Sequence, residues 1–424
     1  AKLKDVDLTG NSQFFLWHTW FSDVFNRGDG KDGFDIVIGN PPYIDSETMV
    51  KVMPDEREVY SKSFKCAKGN WDIFIVFIEQ ALRLCSTSGV YSFIIPNKII
   101  AAKYANELRE YLSNTQIVEI RDYSRINVFV EAAVYPCTLL GVNKMINDER
   151  LLTTFTTMAE ISKILSSNPV TNKDFQLCKF WDVYFRKSTI VSIILKYLKN
   201  QTIQDNNKLS VFGAATVSEA YLVKEFIFDK EEDEDTFKAI NTGTIDPYMP
   251  LWGMSSMQYI KGKYLYPRVK KIDVRNMNKT RYMQALSNKI IVAGMSSRVE
   301  AILDNGDFLA AKSTSIILSQ DLNYLKFILA IINSSFISWV LNIIYNSLKM
   351  SGGYLNIGVR ELSSIAIPNV ECCHIEKLSC LIDKILSIKK NDIYGDIGPI
   401  TDEINEIVYQ IYDLTDKEIE EIIS

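Results

Sequence analysis

FDIVIGNPPYI, residues 34–44, joins a strand signal to a short proline-rich motif. Its run of β-branched residues predicts a strand that is buried on both faces, as strands of parallel sheets are. The tetrapeptide NPPY, residues 40–43, follows at the carboxyl end of this strand, where open α/β sheets place their functional sites. The stretch therefore predicts an α/β fold with a site that begins at Asn40.

The elements that follow extend the α/β pattern. Apolar residues at helical spacing predict a helix over residues 70–89, with Gly89 as its C-terminal cap. The pattern then predicts a strand, an amphipathic helix and two more strands, at residues 90–97, 104–114, 117–123 and 135–144. The order strand, helix, strand, helix, strand, strand is half of a doubly wound sheet.

The pattern changes along the rest of the chain. The regular alternation weakens after residue 147, residues from 245 onward are rich in strands and turns, and helical spacing returns after Pro368. We therefore predict the α/β class: a partial doubly wound, Rossmann-like sheet, then an α+β domain, then C-terminal helices. The predicted boundaries are 1–147 for the sheet, 148–180 for a linker, 181–370 for the α+β domain and 371–424 for the helical segment.

The composition is that of an ordinary globular protein. Of 424 residues, 47% are hydrophobic and 23% are charged, and the net charge of −5 gives no global basic field. The scattered cysteines are typical of a reducing environment, so we expect a cytoplasmic protein. The cluster of Cys372, Cys373, His374 and Cys380 lacks the paired spacing of a zinc site, so no metal is predicted. Polar residues interrupt the longest apolar run, 327–345, which favours a buried helix over a membrane span.

A glycine-rich stretch, GDGKDG at residues 28–33, fits a phosphate-binding loop in composition only. Such a loop lies between a strand and a helix, so that the helix N-terminus faces the phosphate. Here the aromatic residues 14–25 are predicted to be helical, so the order is helix, loop, strand. Asp29 and Asp32 would also repel an anion. We interpret the stretch as a surface turn.

The NPPY tetrapeptide carries groups suited to the methylation of a planar amino group. The lone pair of such a group is delocalised into its ring, so the reaction needs acceptors that hold the two N–H bonds. The side-chain oxygen of Asn40 and the carbonyl oxygen of Pro41 can accept them without moving during the reaction. Pro41 and Pro42 stiffen the loop, and Tyr43 offers a face on which a base stacks. The alternative is a plain proline turn after a buried strand.

FDIVIGNPPYI resembles motif IV of the Taq-type DNA adenine-N6 methyltransferases, and still more that of their fused relatives, the type IIG restriction–modification enzymes. Further segments resemble the same enzymes in the same order along nearly the whole chain. They are NWDIFIVFIEQALRL (70–84), GVYSFIIPNKII (89–100), NVFVEAAVYPCTLLGV (127–142), IIVAGMSSRVEAILDNGDFLAAKSTSIIL (290–318), ILAIINSSFISWVL (328–341) and GGYLNIGVRELSSIAIPN (352–369).

The resemblance implies roles for the regions and for several residues. Residues 1–147 would be the C-terminal half of a methyltransferase catalytic domain, and residues 181–370 the target-recognition domain that sets the DNA sequence. It implies S-adenosylmethionine as cofactor, with Asn40 and Asp72 on the cofactor side of the site. Phe129 would stack on the flipped adenine, which completes a catalytic set of Asn40, Pro41, Pro42, Tyr43 and Phe129. For Asp72 the alternative is the acidic N-cap region of a helix over residues 72–86.

The chain departs from the resembled enzymes before Asn40. In those enzymes a cofactor loop and two acidic strand ends precede the NPPY motif. Here only 39 residues precede Asn40, and none follow the order strand, glycine loop, helix. We therefore expect this chain to be the C-terminal portion of a longer enzyme. The N-terminal methyltransferase or nuclease segment of that enzyme would be missing from this chain. We also expect an unpaired sheet edge at Phe34–Gly39, and the sequence leaves open whether residues 1–25, a second chain or nothing covers it.

The second half contains a local excess of basic residues within 261–298, interleaved with tyrosines. Such residues can contact phosphates and make binding to double-stranded DNA steeply dependent on salt. A lysine-rich solvated surface is the alternative. The residues predicted to bind DNA are Lys261, Lys263, Arg268, Lys270, Lys271, Arg275, Lys279, Arg281 and Arg298, and Lys289 lies in the same stretch. The glycine turn at residues 351–356 is either a further approach to the DNA backbone or a structural turn.

Three functions remain open from the sequence. The first is adenine-N6 methylation of duplex DNA, with the sequence set by residues 180–370. The second is methylation of another amino group, as in release-factor glutamine or guanine-N2 RNA methyltransferases, although the 280 residues after position 144 argue against those enzymes. The third is a DNA-recognition module whose methyltransferase half is incomplete, which predicts DNA binding without cofactor uptake.

Overall fold

The computed structural model describes residues 15–129, 135–145, 148–346 and 353–424. The chain divides into two compact units, residues 1–188 and residues 189–424.

The first unit is built on one mixed sheet. Its strands are β1 (Phe34–Gly39), β2 (Cys85–Pro96), β3 (Thr115–Asp122), β4 (Pro136–Met145), β5 (Leu152–Glu160) and β6 (Lys163–Thr171), in the spatial order β1-β2-β4-β3-β5-β6. β1 is parallel to β2 and β3 is parallel to β5, whereas β4 runs antiparallel to both β2 and β3. The predicted α/β class is confirmed.

The helices of the first unit are short. They are α1 (Trp17–Trp20), α2 (Ser22–Phe25), α3 (Ser46–Val52), α4 (Pro54–Ser63), α5 (Phe74–Leu84), α6 (Lys98–Ala101), α7 (Asn106–Ser113) and α8 (Asn172–Phe175). The local sequence explains their starts: the Asp45 side chain accepts a hydrogen bond from Thr48 N and caps α3, and Pro54 occupies the first turn of α4. α5 is held by its apolar face, since Phe74, Ile75 and Ile78 are completely buried.

The helix predicted over residues 70–89 is shorter than expected, because the chain enters β2 at Cys85. Gly89 therefore does not cap a helix. It lies in β2 where that strand meets the start of β1, and a Cβ atom at Gly89 would lie 2.8 Å from Phe34 O and 2.7 Å from Cys85 Sγ. Glycine allows the two backbones to approach this closely.

Residues 148–180, predicted to be a linker, instead complete the sheet. β5 pairs with β3, and β6 pairs with β5 in an antiparallel hairpin. Phe155 of β5 is completely buried and stacks on Tyr184, with ring centroids 4.7 Å apart. The prediction was wrong because polar residues alternate along these strands, which only tertiary pairing identifies as sheet.

β1 lies at an edge of the sheet, so the prediction that it is buried on both faces is wrong. Among the described strands it pairs only with β2, and the side chains of Ile36 and Ile38 are 63% and 78% exposed. Phe34, at the start of the strand, is covered by aromatic rings of the first two helices, with centroids of Phe21 and Phe25 at 5.2 and 5.5 Å. The unpaired edge expected at Phe34–Gly39 stays a prediction, because residues 1–14 lie outside the described residues.

The second unit combines small sheets with helices, as the predicted α+β domain and C-terminal helices require. Its helices are α9 (Ser188–Leu198), α10 (Val217–Phe226), α11 (Lys271–Met277), α12 (Lys279–Leu286), α13 (Leu322–Ile332), α14 (Ser335–Ile344), α15 (Val359–Ser363), α16 (Cys372–Asn391), α17 (Gly398–Ile411) and α18 (Asp416–Ile423). The helices after residue 371 cluster in the same unit as the α+β part.

Two four-stranded sheets form the centre of this unit, β19-β10-β15-β9 and β18-β16-β20-β8. The strands are β7 (Gln201–Thr202), β8 (Ser210–Gly213), β9 (Phe228–Asp229), β10 (Thr236–Ile240), β11 (Ile245–Asp246), β12 (Met249–Pro250), β13 (Met257–Tyr259), β14 (Gly262–Tyr264), β15 (Pro267–Lys270), β16 (Lys289–Ala293), β17 (Met295–Ser296), β18 (Ala301–Asp304), β19 (Phe308–Ala310), β20 (Thr314–Leu318), β21 (Leu355–Asn356) and β22 (Ala366–Ile367). One cluster of buried side chains includes Phe237 and Val269 of the first sheet. A second cluster includes residues of both sheets, Ile240 and Phe308 from the first and Ile291 and Ile302 from the second.

The longest apolar run forms two helices and not one. The axes of α13 and α14 differ by 59° at the break between them. No single helix among the described residues is long and apolar enough to cross a membrane, and this bent pair is so only when its two helices are taken together. Phe327, Ile331 and Phe336 of this pair are completely buried in the unit.

Candidate active site

The NPPY loop leaves the sheet at the edge where three strands end. Gly39, the last residue of β1, is level with Phe93 of the parallel strand β2, so Asn40 and Lys98 leave the sheet in the same direction. Because β4 is antiparallel to both β2 and β3, the end of β3 at Asp122 lies on this edge too. Phe129 belongs to the connection that starts there. The predicted catalytic residues are therefore brought to one edge, at the carboxyl ends of parallel strands.

The side chains of the loop alternate between buried and exposed. Asn40 and Pro42 are exposed, Pro41 is buried, and Tyr43 is partly buried. The Asn40 amide is thus open to a ligand, while Pro41 fastens the loop to the protein. A Cβ atom at Gly39 would lie 3.1 Å from the Phe93 ring, so a glycine allows the loop to begin close to the sheet.

Tyr43 presents an uncharged aromatic ring. Its hydroxyl is buried and has no hydrogen-bond partner among the described residues. Burial raises the pKa of Tyr43 to about 12, and the nearby Cys137 thiol adds to the effect. The hydroxyl therefore stays protonated across the physiological range, and the ring offers an apolar face.

The rings of Tyr43 and Phe129 contact each other edge to face. Their centroids are 6.0 Å apart and the ring planes meet at 80°. The structure thus brings together the two aromatics predicted to sandwich the base, although they are not parallel. A base can stack between them only if the rings separate and turn.

Asp72 is occupied by protein groups. The side chain is 6% exposed, and its oxygens accept hydrogen bonds from Ser46 N, Lys98 Nζ and Tyr104 Oη. These contacts do not support the prediction that Asp72 touches the cofactor. The N-cap alternative is wrong, because the N-cap of α5 is Ile73 and no side chain caps that helix. Sequence reasoning missed Lys98 and Tyr104, for which the only signal was the PNK stretch at the end of β2.

The described residues do not fit a complete S-adenosylmethionine site. Among residues 15–39 the order is two short helices within 17–25, a loop at 26–33 and a strand at 34–39, so this described stretch contains no strand and glycine loop ahead of a helix. Of the two predicted cofactor residues, only Asn40 is free to contact a ligand. Metal binding has no support either: within the described ranges no group of three or more His, Cys, Asp or Glu side chains could hold an ion.

More than half of the basic residues predicted to bind DNA are exposed. Lys261 and Lys263 lie on the hairpin of β13 and β14, whose turn holds Ile260 and Lys261 at positive φ of 39° and 61°. The remaining exposed side chains without an ion pair among the described contacts are Lys270, Arg275 and Lys279.

Other members of the basic set are used inside the protein, which removes them as DNA contacts. Arg268 is 8% exposed, donates to Lys230 O, Glu231 O and Thr236 Oγ1, and packs on Trp252. Arg281 pairs with Glu219 and donates to Gly213 O. Lys289 is buried in an ion pair with Asp304.

Two further members of the set have acidic partners. Lys271 approaches Asp235 at 3.9 Å, and Arg298 approaches Asp246 at 3.1 Å. The side chain of Arg298 remains 57% exposed, so a phosphate can still compete for it.

The first part of the chain is similar to known restriction–modification proteins. Residues 2–129 match the profile of the Eco57I restriction–modification methylase family. The Type II restriction enzyme and methyltransferase RM.Eco57I from Escherichia coli is 31% identical over 116 residues, which are 27% of this chain and 12% of that protein. The putative enzyme RM.MjaORFECS2P from Methanocaldococcus jannaschii is 26% identical over 231 residues, or 52% of this chain and 18% of that protein. The chain thus matches less than a quarter of the length of these relatives.

Two solved restriction–modification enzymes overlap most of the chain. The type IIL enzyme MmeI in complex with DNA covers 91% of this chain and 56% of its own, with 11% identity and a TM-score of 0.39. The type IIG endonuclease BpuSI covers 91% and 55%, with 12% identity and a TM-score of 0.32. Both TM-scores are low, so these two structures are reported as similar and nothing is inferred from them.

Proposed function

We propose that this chain carries the base-binding part of a DNA adenine-N6 methyltransferase site within a restriction–modification enzyme. The observation that carries the proposal is the placement of an exposed Asn40 amide at the carboxyl end of β1, beside the contacting rings of Tyr43 and Phe129. The methylase family of residues 2–129 supports methyl transfer, and the type II relatives support DNA as the substrate.

The proposed chemistry concerns the amino group of a flipped adenine. Extrusion of the base costs on the order of a few kcal/mol, which stacking on Tyr43 and Phe129 offsets. The two N–H bonds of the amino group donate to the Asn40 side-chain oxygen and the Pro41 carbonyl, which localises the lone pair on the nitrogen. S-adenosylmethionine supplies the methyl group in enzymes of this kind.

The test is to express the complete gene in a host without adenine methylation and to map N6-methyladenine in its DNA. We expect methylation at one short sequence, and its loss in Asn40→Ala. Asn391→Ala is the matched control, because Asn391 is an exposed asparagine at the end of α16. Absence of N6-methyladenine from the wild-type host DNA, or its persistence in Asn40→Ala, contradicts the proposal.

A second candidate is a DNA-recognition module without methyl transfer. It is favoured by the open edge of β1 and by the engagement of Asp72 with protein donors. This candidate predicts that the chain binds double-stranded DNA equally well with Asn40→Ala. It also predicts that calorimetry detects no uptake of S-adenosylmethionine, whereas heat released on cofactor binding would count against it.

A further inference from the structure

Asp72 is a buried carboxylate that does not cap α5, the helix that follows it in the chain. It is 6% exposed and precedes α5 by two residues, yet the amides at the start of α5 receive no side-chain cap. A buried carboxylate must find partners elsewhere, because a charge without partners is costly in a protein interior.

The partners of Asp72 come from three other segments. Oδ1 accepts a hydrogen bond from Ser46 N at 3.1 Å, and Oδ2 accepts from Tyr104 Oη at 2.6 Å and from Lys98 Nζ at 3.2 Å. The next residue, Ile73, forms a backbone hydrogen bond to the same loop, because Ile73 N donates to Ile44 O at 3.0 Å. Two hydrogen bonds therefore hold residues 44–46, directly after Tyr43.

These bonds fix the far end of the NPPY loop. At its near end the loop leaves β1, and between the two ends Pro41 and Pro42 have φ restricted to about −65°. A loop that is stiff in the middle and fastened at both ends has one position for its side chains. Lys98 follows β2, the parallel neighbour of β1, and forms an ion pair with Asp72. The Asp72 carboxylate therefore connects the loop to the sheet edge at which β1 and β2 end.

We propose that Asp72 is a positioning residue that holds the Asn40–Tyr43 loop in its working geometry by clamping residues 44–46 to Lys98 and Tyr104. The inference rests on the proposed function and adds to it a residue that does not touch the base. Its carboxylate acts through hydrogen bonds to the loop, so its loss should affect the reaction more than the binding of DNA.

Glu79 provides a matched control. It is 1% exposed in the same unit, and it accepts hydrogen bonds from Lys65 N at 3.0 Å, Cys66 N at 2.8 Å and Arg83 at 2.5 Å. It therefore clamps a loop with the same chemistry as Asp72, a cation and neutral donors, but the loop it clamps holds no catalytic residue.

The experiment compares Asp72→Asn with Glu79→Gln in the complete protein. The Asp72→Asn substitution keeps the size of the side chain but turns one acceptor oxygen into a donor, so either Ser46 N or the pair of Lys98 and Tyr104 loses its acceptor. We expect both variants to melt at lower temperature. We expect only Asp72→Asn to slow single-turnover methyl transfer, by on the order of 100-fold at unchanged DNA affinity, because small displacements of reacting groups cost about that much. Tyr104→Phe, which removes one donor, should give a smaller loss in the same direction.

Hydrogen–deuterium exchange gives a readout that does not depend on activity. Asp72→Asn should speed exchange at residues 44–46, and Glu79→Gln should speed it at residues 65–66 instead. Unchanged exchange at residues 44–46 overturns the clamp, and equal loss of rate in both variants overturns the positioning role. If the wild-type protein transfers no methyl group, the proposed function fails, and the exchange pattern alone decides whether the clamp exists.

Discussion

At the scale of single residues, the ring and the hydroxyl of Tyr43 have separable effects. The ring supplies the proposed stacking face, whereas the hydroxyl is buried without a partner among the described residues. Tyr43→Phe should therefore retain methylation. The free energy of unfolding should stay the same or increase by at most about 1–3 kcal/mol, because a buried polar group without a partner is removed. Tyr43→Ala removes stacking worth about 1–3 kcal/mol, so methyl transfer should slow by roughly 5- to 150-fold.

Urea unfolding and single-turnover rates of both Tyr43 variants check this prediction. A Tyr43→Phe protein as slow as Tyr43→Ala would mean that the hydroxyl acts in the reaction, in contradiction to its raised pKa and its lack of a hydrogen-bond partner among the described residues.

The NPPY loop could be identified from the sequence because its chemistry lies in four consecutive residues. The role of Asp72 could not, because the partners Ser46, Lys98 and Tyr104 are 26, 26 and 32 residues away in the chain. Contacts between residues that are distant in the chain also explain why part of the basic stretch at residues 261–298 was misinterpreted. A lysine or arginine read from the sequence is presumed to be solvated, and only the fold shows that Arg268 and Lys289 are used internally.

At the scale of elements, β4 depends on a glycine. A Cβ atom at Gly141 would overlap the ring of Tyr91, which is completely buried and hydrogen-bonded to Thr115 Oγ1 at 2.7 Å. The ring cannot swing away without losing this bond. Gly141→Ala should therefore lower the free energy of unfolding by about 1–3 kcal/mol, as overpacked cores do. Urea unfolding is the measurement.

Gly213→Ala is the control for Gly141→Ala. Gly213 also lies in a strand, but its added Cβ atom would meet Val359 Cγ2 at an ordinary 3.6 Å. Equal destabilisation by the two substitutions would show that loss of glycine itself, and not the Tyr91 ring, is responsible.

The last helix, α18, is fastened by Glu418. Burial acts to raise the pKa of this carboxyl, but its hydrogen bonds with Lys196, Thr415 and Ser192 outweigh burial and lower the pKa to about 2. The folded-state pKa is below the unfolded value, so the contribution to stability is present above about pH 4.5 and is lost as pH falls toward 2.

Glu418→Gln should cost about 1–3 kcal/mol of unfolding free energy at about pH 7, and less as the pH falls toward the lowered pKa of the carboxyl. Urea unfolding at several pH values measures the difference from wild type. Glu420→Gln, which changes an exposed glutamate on the same helix, should have no such effect. A cost for Glu418→Gln that is constant with pH would contradict the lowered pKa.

β1 illustrates why the edge of the sheet was not predicted from its residues alone. Its apolar, β-branched sequence is typical of a strand with both faces covered. The sequence shows that the strand could be buried on both faces, but it does not show that it is. Whether Ile36 and Ile38 are buried depends on strands and helices that lie elsewhere in the chain or outside it. The position of β1 at the end of the described strand order depends on which strands pair, and the local pattern of residues 34–39 does not contain that information.

For the whole molecule, the net charge opposes association with DNA, whereas the placement of exposed basic side chains favours it. The chain carries a net charge of −5, which opposes association with DNA at long range. The proposed DNA binding therefore depends on a few exposed basic side chains at short range, and the salt dependence of binding distinguishes these side chains from the buried ones.

Lys261 and Lys263 are the sharpest test, because both are exposed on one hairpin. Each phosphate contact contributes about −0.9 to the slope of log affinity against log salt concentration. The double variant Lys261→Ala, Lys263→Ala should therefore flatten the slope by about 1.8. The control is Lys384→Ala, Lys417→Ala, which changes the net charge equally through exposed lysines of the C-terminal helices. Fluorescence anisotropy with duplex DNA measures both slopes. Equal flattening by the two pairs would mean that net charge alone governs binding, and the hairpin would lose its assignment as a DNA contact.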